Sequence, residues 1–230
     1  MKKRFAGILA VLVIAVMLAL PASAMQGYAP DFEPTAEGAY IVNLDTNIVV
    51  YQKDSEKQLT AASLTKMMTM LLLLKNHQDE LDTATGEMTR AIDDILYRTP
   101  GASLADIRPG ESVTLRNLLY AMELPSGNEA AYIAAFFMGG TVDNFVAMMN
   151  AEAKALGCTG TVFTDPCGLD AGNVTTARDA YLILRALIQY DAFVEAAGTS
   201  SYWMPANTQH AEPYIILSSN KMLTQGTTYY

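Results

Sequence analysis

The sequence is poor in cysteine, histidine and tryptophan: its 230 residues include two Cys, two His and one Trp. Two cysteines cannot build the multi-bridge framework of a small secreted scaffold. Cys158 and Cys167 are left either to pair with each other or to stay free, and nothing in the sequence brings their side chains together. His77, in "KNHQDE", and His210, in "TQHAEP", read as solvated loop residues. No His or Cys pair has ligand spacing on a helix, so no metal site is expected. A Ser/His/Asp triad would need assembly from distant segments. Low-complexity tracts and internal repeats are also missing.

Basic charge is scarce as well, with 15 Lys+Arg against 24 Asp+Glu. Three of the basic residues, Lys2, Lys3 and Arg4, precede an apolar run from Phe5 to Leu20 and the small-residue stretch Ala22-Ser23-Ala24. That pattern reads as a signal peptide over residues 1–24, with an uncleaved membrane anchor as the competing reading. No later segment is apolar for long enough to span a bilayer. Without the leader the chain carries 12 basic and 24 acidic residues, a net charge of −12. Such a surface repels phosphate backbones, so no nucleic-acid partner is expected.

What is abundant is apolar surface: 51% of residues are hydrophobic and 17% charged, enough to fill a core. Residues 25–37 are rich in Pro, Gly and acid and read as an N-terminal arm. "AYIVNLDTNIVVYQKD" gives two β-rich runs around Asp45-Thr46-Asn47, which predict a hairpin. A hairpin needs cover for its apolar face, and the greasy helix from about Ser63 to Leu74 is the candidate. Helical patterns follow in "TLRNLLYAMEL", "NEAAYIAAFFMGG" and "TVDNFVAMMNAEAKALG". Thr176 and Asp179 predict a capping box for a helix running to Tyr190. "EPYIILSSN" turns strand-like. The order predicts an α+β or mixed α/β body with an inserted helical portion.

Two short stretches carry chemistry. In "AASLTKMMTM" Ser63 and Lys66 lie three residues apart on one helix face, so hydroxyl and amine meet without tertiary help. A lysine desolvated by that apolar helix is disfavoured in its charged form, and its neutral amine can take the serine proton. The backbone N–H of Ser63, at the helix start, is free to face a developing oxyanion. The plain alternative is an N-cap serine beside a snorkelling lysine. A second S-x-x-K, Ser218 to Lys221, follows a strand and is accidental. In "ELPSGNEAA", Pro125 ends one helix and Asn128 starts another, so Ser126 and Asn128 project from a tight loop; a simple turn and cap is the structural alternative. Met67, Met68 and Met70 read as core filling, and "DELD" and "AIDDIL" as solvated faces.

S-x-x-K followed by S-x-N resembles the penicillin-binding proteins and serine β-lactamases. With "PGESVTLRNLLYAMELPSGNEAA", "NFVAMMNAEAKALGCTGTVFTDPCGLD", "TTARDAYLI" and "SSNKML", the chain is similar over most of residues 38–224 to the D-alanyl-D-alanine carboxypeptidases. The resemblance implies a β-lactamase/transpeptidase-like α/β (α+β) fold: an antiparallel sheet, flanking helices and an inserted helical subdomain, with residues 38–230 as the catalytic domain. It implies Ser63 as nucleophile, Lys66 as general base, Ser126 as proton relay and Asn128 as the residue orienting the substrate amide, without metal or organic cofactor. The implied partners are stem peptides ending in D-Ala-D-Ala and β-lactams, outside the cytoplasm, with membrane-surface association through a segment this sequence does not hold. The family's K-T-G motif is not reached, so a domain lacking its last strands and one oxyanion donor is expected, and with it a poorly folded or inactive chain. A class A β-lactamase would add a Glu-x-x-x-Asn loop, which is not apparent after "GLD". A peptidoglycan-binding protein without turnover is the third reading.

Overall fold

The computed structural model describes residues 34–97 and 99–224. The leader and most of the arm expected from the sequence lie outside them. The chain divides after Lys53 into two compact units.

Among the described residues the first unit is a hairpin. Strand β1 (Ala39–Asn43) pairs antiparallel with β2 (Ile48–Lys53), and the register slips between Ile41 and Val42. The turn closes as the sequence predicts. Asn43 Oδ1 accepts from the backbone N–H and the hydroxyl of Thr46, both at 2.9 Å, and Asn47 takes the left-handed conformation, φ 56°.

The second unit is built around one helix. Strand β3 (Leu59–Thr60) leads into a 3₁₀ turn, Ala62–Leu64, and then into α1 (Thr65–His77). From Thr65 to Leu74 every residue of α1 except the half-buried Met67 is buried, so this helix has no solvent face over its first ten residues. The sequence "MLLLL" enforces that, since four consecutive leucines point in all directions around a helix. Strand β4 (Thr85–Glu87) and helix α2 (Arg90–Tyr97) follow, and β4 pairs with β5 (Ser112–Thr114). Helices α3 (Leu115–Glu123), α4 (Asn128–Gly139) and α5 (Val142–Ala155) then pack on α1. After strand β6 (Val174–Thr175), α6 (Ala177–Leu187) closes the remaining side. Helix α7 (Asp191–Ala197), the β7 (Ser201–Met204)–β8 (Tyr214–Leu217) ladder and the short α8 (Lys221–Thr224) complete the described residues.

The mixed architecture and the antiparallel pairing are as the sequence predicts, but among the described residues the pairing is distributed over four two-stranded ladders. Helix starts follow threonine caps: Thr114, Thr141 and Thr176 each accept a hydrogen bond from the backbone N–H three residues on. The expected capping box is half formed. Thr176 Oγ1 accepts from the Asp179 N–H, but Asp179 does not reciprocate; its carboxylate is fully buried and accepts from the N–H of Thr159 and Gly160 and the hydroxyl of Thr161. The helix also stops at Leu187, short of Tyr190, because the Tyr190 N–H turns back to Leu187 O and Tyr190 then caps α7.

Two further expectations are corrected. His210 is not a solvated loop residue: it is 9% exposed, stacks on Tyr214, and its Nε2 donates to the Asp106 carbonyl at 2.8 Å. His77 belongs to the last turn of α1 and lies 3.1 Å from Glu80 Oε2. Both cysteines are free thiols. No single helix among the described residues is long and apolar enough to cross a membrane.

Because α1 is enclosed, its leucines carry a large share of the core. Leu73→Ala removes a fully buried side chain and is expected to cost about 2–5 kcal/mol, whereas Leu184→Ala, at a position 39% exposed on α6, should cost less than about 1 kcal/mol. Urea denaturation of both variants checks the contrast; equal losses would show that α1 is not the centre of the core.

Candidate active site

Three chain segments converge on one amine. The first is the entry to α1. Ala62 is in the left-handed region, φ 44°, a conformation that costs a residue with a Cβ about 1–2 kcal/mol. The turn that follows uses the Leu64 N–H to Ala61 O and the Thr65 N–H to Ala62 O, which leaves the Ser63 N–H outside its bonding pattern. Ser63 is exposed, while Lys66, one turn further on, is 2% exposed.

The second segment is the turn between α3 and α4. Ser126 is also left-handed, φ 62°. Gly127 is held tightly: its N–H donates to Ala121 O at 2.8 Å, and a Cβ there would sit 2.8 Å from that same oxygen. The bend aims the Ser126 hydroxyl at α1, and the third segment, residues 165–170, brings in the carbonyl of Cys167.

Lys66 Nζ lies 3.3 Å from Ser63 Oγ, 3.2 Å from Ser126 Oγ and 3.0 Å from Cys167 O, and the two hydroxyls are 3.0 Å apart. An ammonium has three N–H donors and finds three acceptors here. A neutral amine has two, and its lone pair then faces a hydroxyl. Burial pulls the Lys66 pKa below the ordinary lysine value; Cys167, Asp165 and Glu129 pull the other way. Desolvation is the larger influence, and it favours the neutral form that can act as a base.

The structure therefore brings Ser63, Lys66 and Ser126 together. Asn128 is two residues from Ser126 and 3% exposed, with its N–H donating to Ser103 O at 2.9 Å. Its side-chain amide makes no hydrogen bond to the three. Ser218 and Lys221 form no comparable pair: Lys221 is exposed, and Ser218 Oγ accepts from the Asn220 N–H.

Three groups at the site escaped the sequence reading. The Cys167 carbonyl is main chain and leaves no side-chain signature. Asp165 is 5% exposed and accepts only from backbone amides. Glu129, 1% exposed, follows directly on S-x-N, where an acid reads as first-turn helix decoration. Its Oε1 accepts from the N–H of Ala105 at 2.5 Å and of Ile107 at 3.3 Å, while Oε2 is buried without a partner. Burial pushes its pKa up to about 7; the amides of Ala105, Glu129 and Ile107 and the charge of Lys66 oppose the rise.

The sign of that shift sets a pH dependence. Glu129 is more easily ionised in the unfolded chain than in the folded one, so its contribution to stability is lost as pH climbs from about 4.5 to about 7. Glu129→Gln is neutral throughout and should melt closer to, or above, the parent at pH 8 than it does at pH 5. Thermal melts at the two pH values check this, and a pH-independent difference would overturn it. Gly168→Ala places a Cβ 1.7 Å from the Ala62 carbonyl oxygen at a φ of +91°, and should lower the melting temperature at every pH.

Comparisons with known proteins identify the family. The family model described as D-alanyl-D-alanine carboxypeptidase, Peptidase_S11, matches residues 24–229. D-alanyl-D-alanine carboxypeptidase DacF of Bacillus subtilis is 30% identical over 190 residues, covering 82% of this chain and 47% of its own length. DacA of Escherichia coli K12, described by the same activity, is 34% identical over 160 residues, 67% of this chain and 39% of its own. The chain thus spans less than half the length of these two curated relatives. The crystal structure of the Streptomyces K15 DD-transpeptidase superposes with a TM-score of 0.76 at 27% identity, over 85% of this chain and 79% of that one. With a hydroxyl, a second hydroxyl and a buried amine in mutual contact, and a family match across nearly its whole length, the chain belongs to the D-alanyl-D-alanine carboxypeptidase family.

Proposed function

We propose that the chain carries the acylating centre of a serine D-Ala-D-Ala carboxypeptidase that removes the terminal D-alanine from peptidoglycan stem peptides. The observation that carries this reading is the buried Lys66 amine within hydrogen-bond reach of both Ser63 and Ser126.

The steps follow from the contacts. Ser63 Oγ attacks the carbonyl carbon between the two D-alanines as its proton passes to the neutral Lys66 amine. The carbonyl π electrons move onto oxygen, and the Ser63 N–H, outside the bonding pattern of its turn, is the candidate donor to that oxyanion; one such donor is typically worth about 100- to 1000-fold in rate. When the intermediate collapses, the C–N bond breaks and the leaving nitrogen needs a proton. Ser126, bonded to both Lys66 and Ser63, relays it from the Lys66 ammonium, which returns the amine to its neutral form. D-Alanine departs, leaving an ester on Ser63. Water attacks that ester carbonyl as it gives a proton to Lys66; the ester C–O bond then breaks, Lys66 passes the proton to Ser63 Oγ, and the shortened peptide leaves with a free Ser63 hydroxyl and a neutral amine restored. Asn128, beside Ser126, is the candidate for orienting the substrate amide. A β-lactam carbonyl would acylate Ser63 in the same way. The leader-like residues 1–24 and the acidic remainder support an exported protein acting outside the cytoplasm.

Incubating the full-length protein with diacetyl-L-Lys-D-Ala-D-Ala should release D-alanine, and benzylpenicillin should add its mass to the peptide containing Ser63. Ser63→Ala should abolish both. Lys66→Ala should slow acylation by about 100- to 10,000-fold. Penicillin hydrolysis without D-alanine release would make the protein a β-lactamase, and neither activity would make it a binding protein. The acylation rate of the parent should rise with pH and reach half its plateau below the ordinary lysine value of 10.5, because burial favours the neutral amine. A stopped-flow pH profile with a midpoint at or above that value would refute Lys66 as the base.

A further inference from the structure

The Lys66 amine has two partners that react and one that cannot. Ser63 and Ser126 both donate and accept, whereas the Cys167 carbonyl only accepts. It therefore holds one N–H of Lys66 whether the amine is charged or neutral. In the neutral state that leaves one N–H and one lone pair for two hydroxyls, so the carbonyl fixes the rotation about Cε–Nζ and keeps the lone pair on a reacting oxygen.

A carbonyl in a loop does this only if the loop is fixed, and its fixing traces to one carboxylate. Asp165 Oδ1 accepts from the N–H of Cys167 at 2.7 Å and of Gly168 at 2.5 Å, and Oδ2 accepts from the N–H of Asp170 at 2.6 Å. The loop curls around the side chain, which is 5% exposed. Outside contacts then lock the curl to the nucleophile's own segment. Thr69 Oγ1, one turn beyond Lys66, donates to Pro166 O at 2.6 Å. Gly168 lies against the Ala62 carbonyl, immediately before Ser63. Asn173 accepts from the N–H of Thr164 through its side chain, while its backbone carbonyl accepts from the Ala61 N–H.

We propose that Asp165 is a positioning residue for the reaction: by gathering the amides of Cys167, Gly168 and Asp170 it holds the Cys167 carbonyl on Lys66 and so aims the base at Ser63. This deepens the carboxypeptidase reading and rests on it.

Two substitutions separate the carboxylate's geometry from its charge. Asp165→Asn keeps one oxygen for the Cys167 and Gly168 amides but loses the charge; Asp165→Ala loses both. The groups facing Lys66 are Asp165 and Cys167 from the loop, Glu129 from α4, and the Ser63 and Ser126 hydroxyls. Removing the Asp165 charge takes away an influence that raises the Lys66 pKa. The midpoint of the acylation–pH profile should therefore move to lower pH in both variants. The plateau at high pH, where Lys66 is neutral, should fall roughly 10-fold in Asp165→Asn and roughly 100-fold in Asp165→Ala, the scale of a base displaced by about 1 Å. The full-length protein is used, with rates of acylation by a fluorescent penicillin measured on the folded fraction. In parallel, ¹³Cε-lysine NMR follows the Lys66 titration, assigned with Lys66→Arg.

A purely structural role would reduce the fraction of protein that labels and leave midpoint and plateau rate unchanged; that result in Asp165→Asn overturns the proposal, as does a plateau in either folded variant equal to the parent's. If the parent forms no acyl-enzyme, the carboxypeptidase reading falls. The NMR titration then still decides the inference, which requires a lowered Lys66 midpoint in Asp165→Asn and is refuted by an unmoved one.

Discussion

The structure depends on a lysine amine kept away from water. An ammonium stripped of its hydration is costly unless every N–H finds an acceptor, and Lys66 finds three from three different parts of the chain. The same desolvation that makes the charged form expensive makes the neutral form available as a base. Stability and reactivity thus draw on one balance: the acceptors hold the amine in place, and burial keeps it close to giving up its proton. Glu129 and Asp165, both nearly fully buried, restrain the shift by favouring the ammonium.

Everything around that amine serves to hold its partners still. The 3₁₀ turn leading into α1 sets Ser63 three residues before Lys66, and the enclosure of α1 by α3, α4, α5 and α6 leaves it no freedom to roll. Ser126 reaches the amine through a left-handed backbone position, with Gly127 seated against the end of α3. Strain at Ala62, next to Ser63, and at Ser126, in contact with it, persists only because the surrounding packing determines both.

Much of this was legible in the sequence. The hairpin, the threonine-capped helices and the Ser63–Lys66 pair follow from turn chemistry, capping and helical phase, which are local properties, whereas Ser126 joins that pair across 60 residues and is legible only through the family resemblance. What stayed hidden was non-local. The ladders of two and three residues, β3 with β6 and β4 with β5, are too short for a period-2 pattern to register, and their partners lie far apart in the chain. His210 reads as a loop residue because Asp106, whose carbonyl takes its Nε2–H, lies 104 residues away in the chain. Asp179 was read as a cap partner, yet tertiary amides claimed its carboxylate. The Cys167 carbonyl had no residue-type signal at all, since any amino acid can present one.

Under the proposed mechanism, the contrast between an open Ser63 and a closed Lys66 sets the direction of events at the oxygen. An electrophile arriving from solvent meets the hydroxyl on its outer side, while the proton leaves inward, toward the protein interior. Arrival and departure use opposite faces, so an incoming molecule never competes with the base for space. For covalent probes the corollary is selectivity: amine-directed reagents have no route to this lysine, and only chemistry that begins at the serine can report on it.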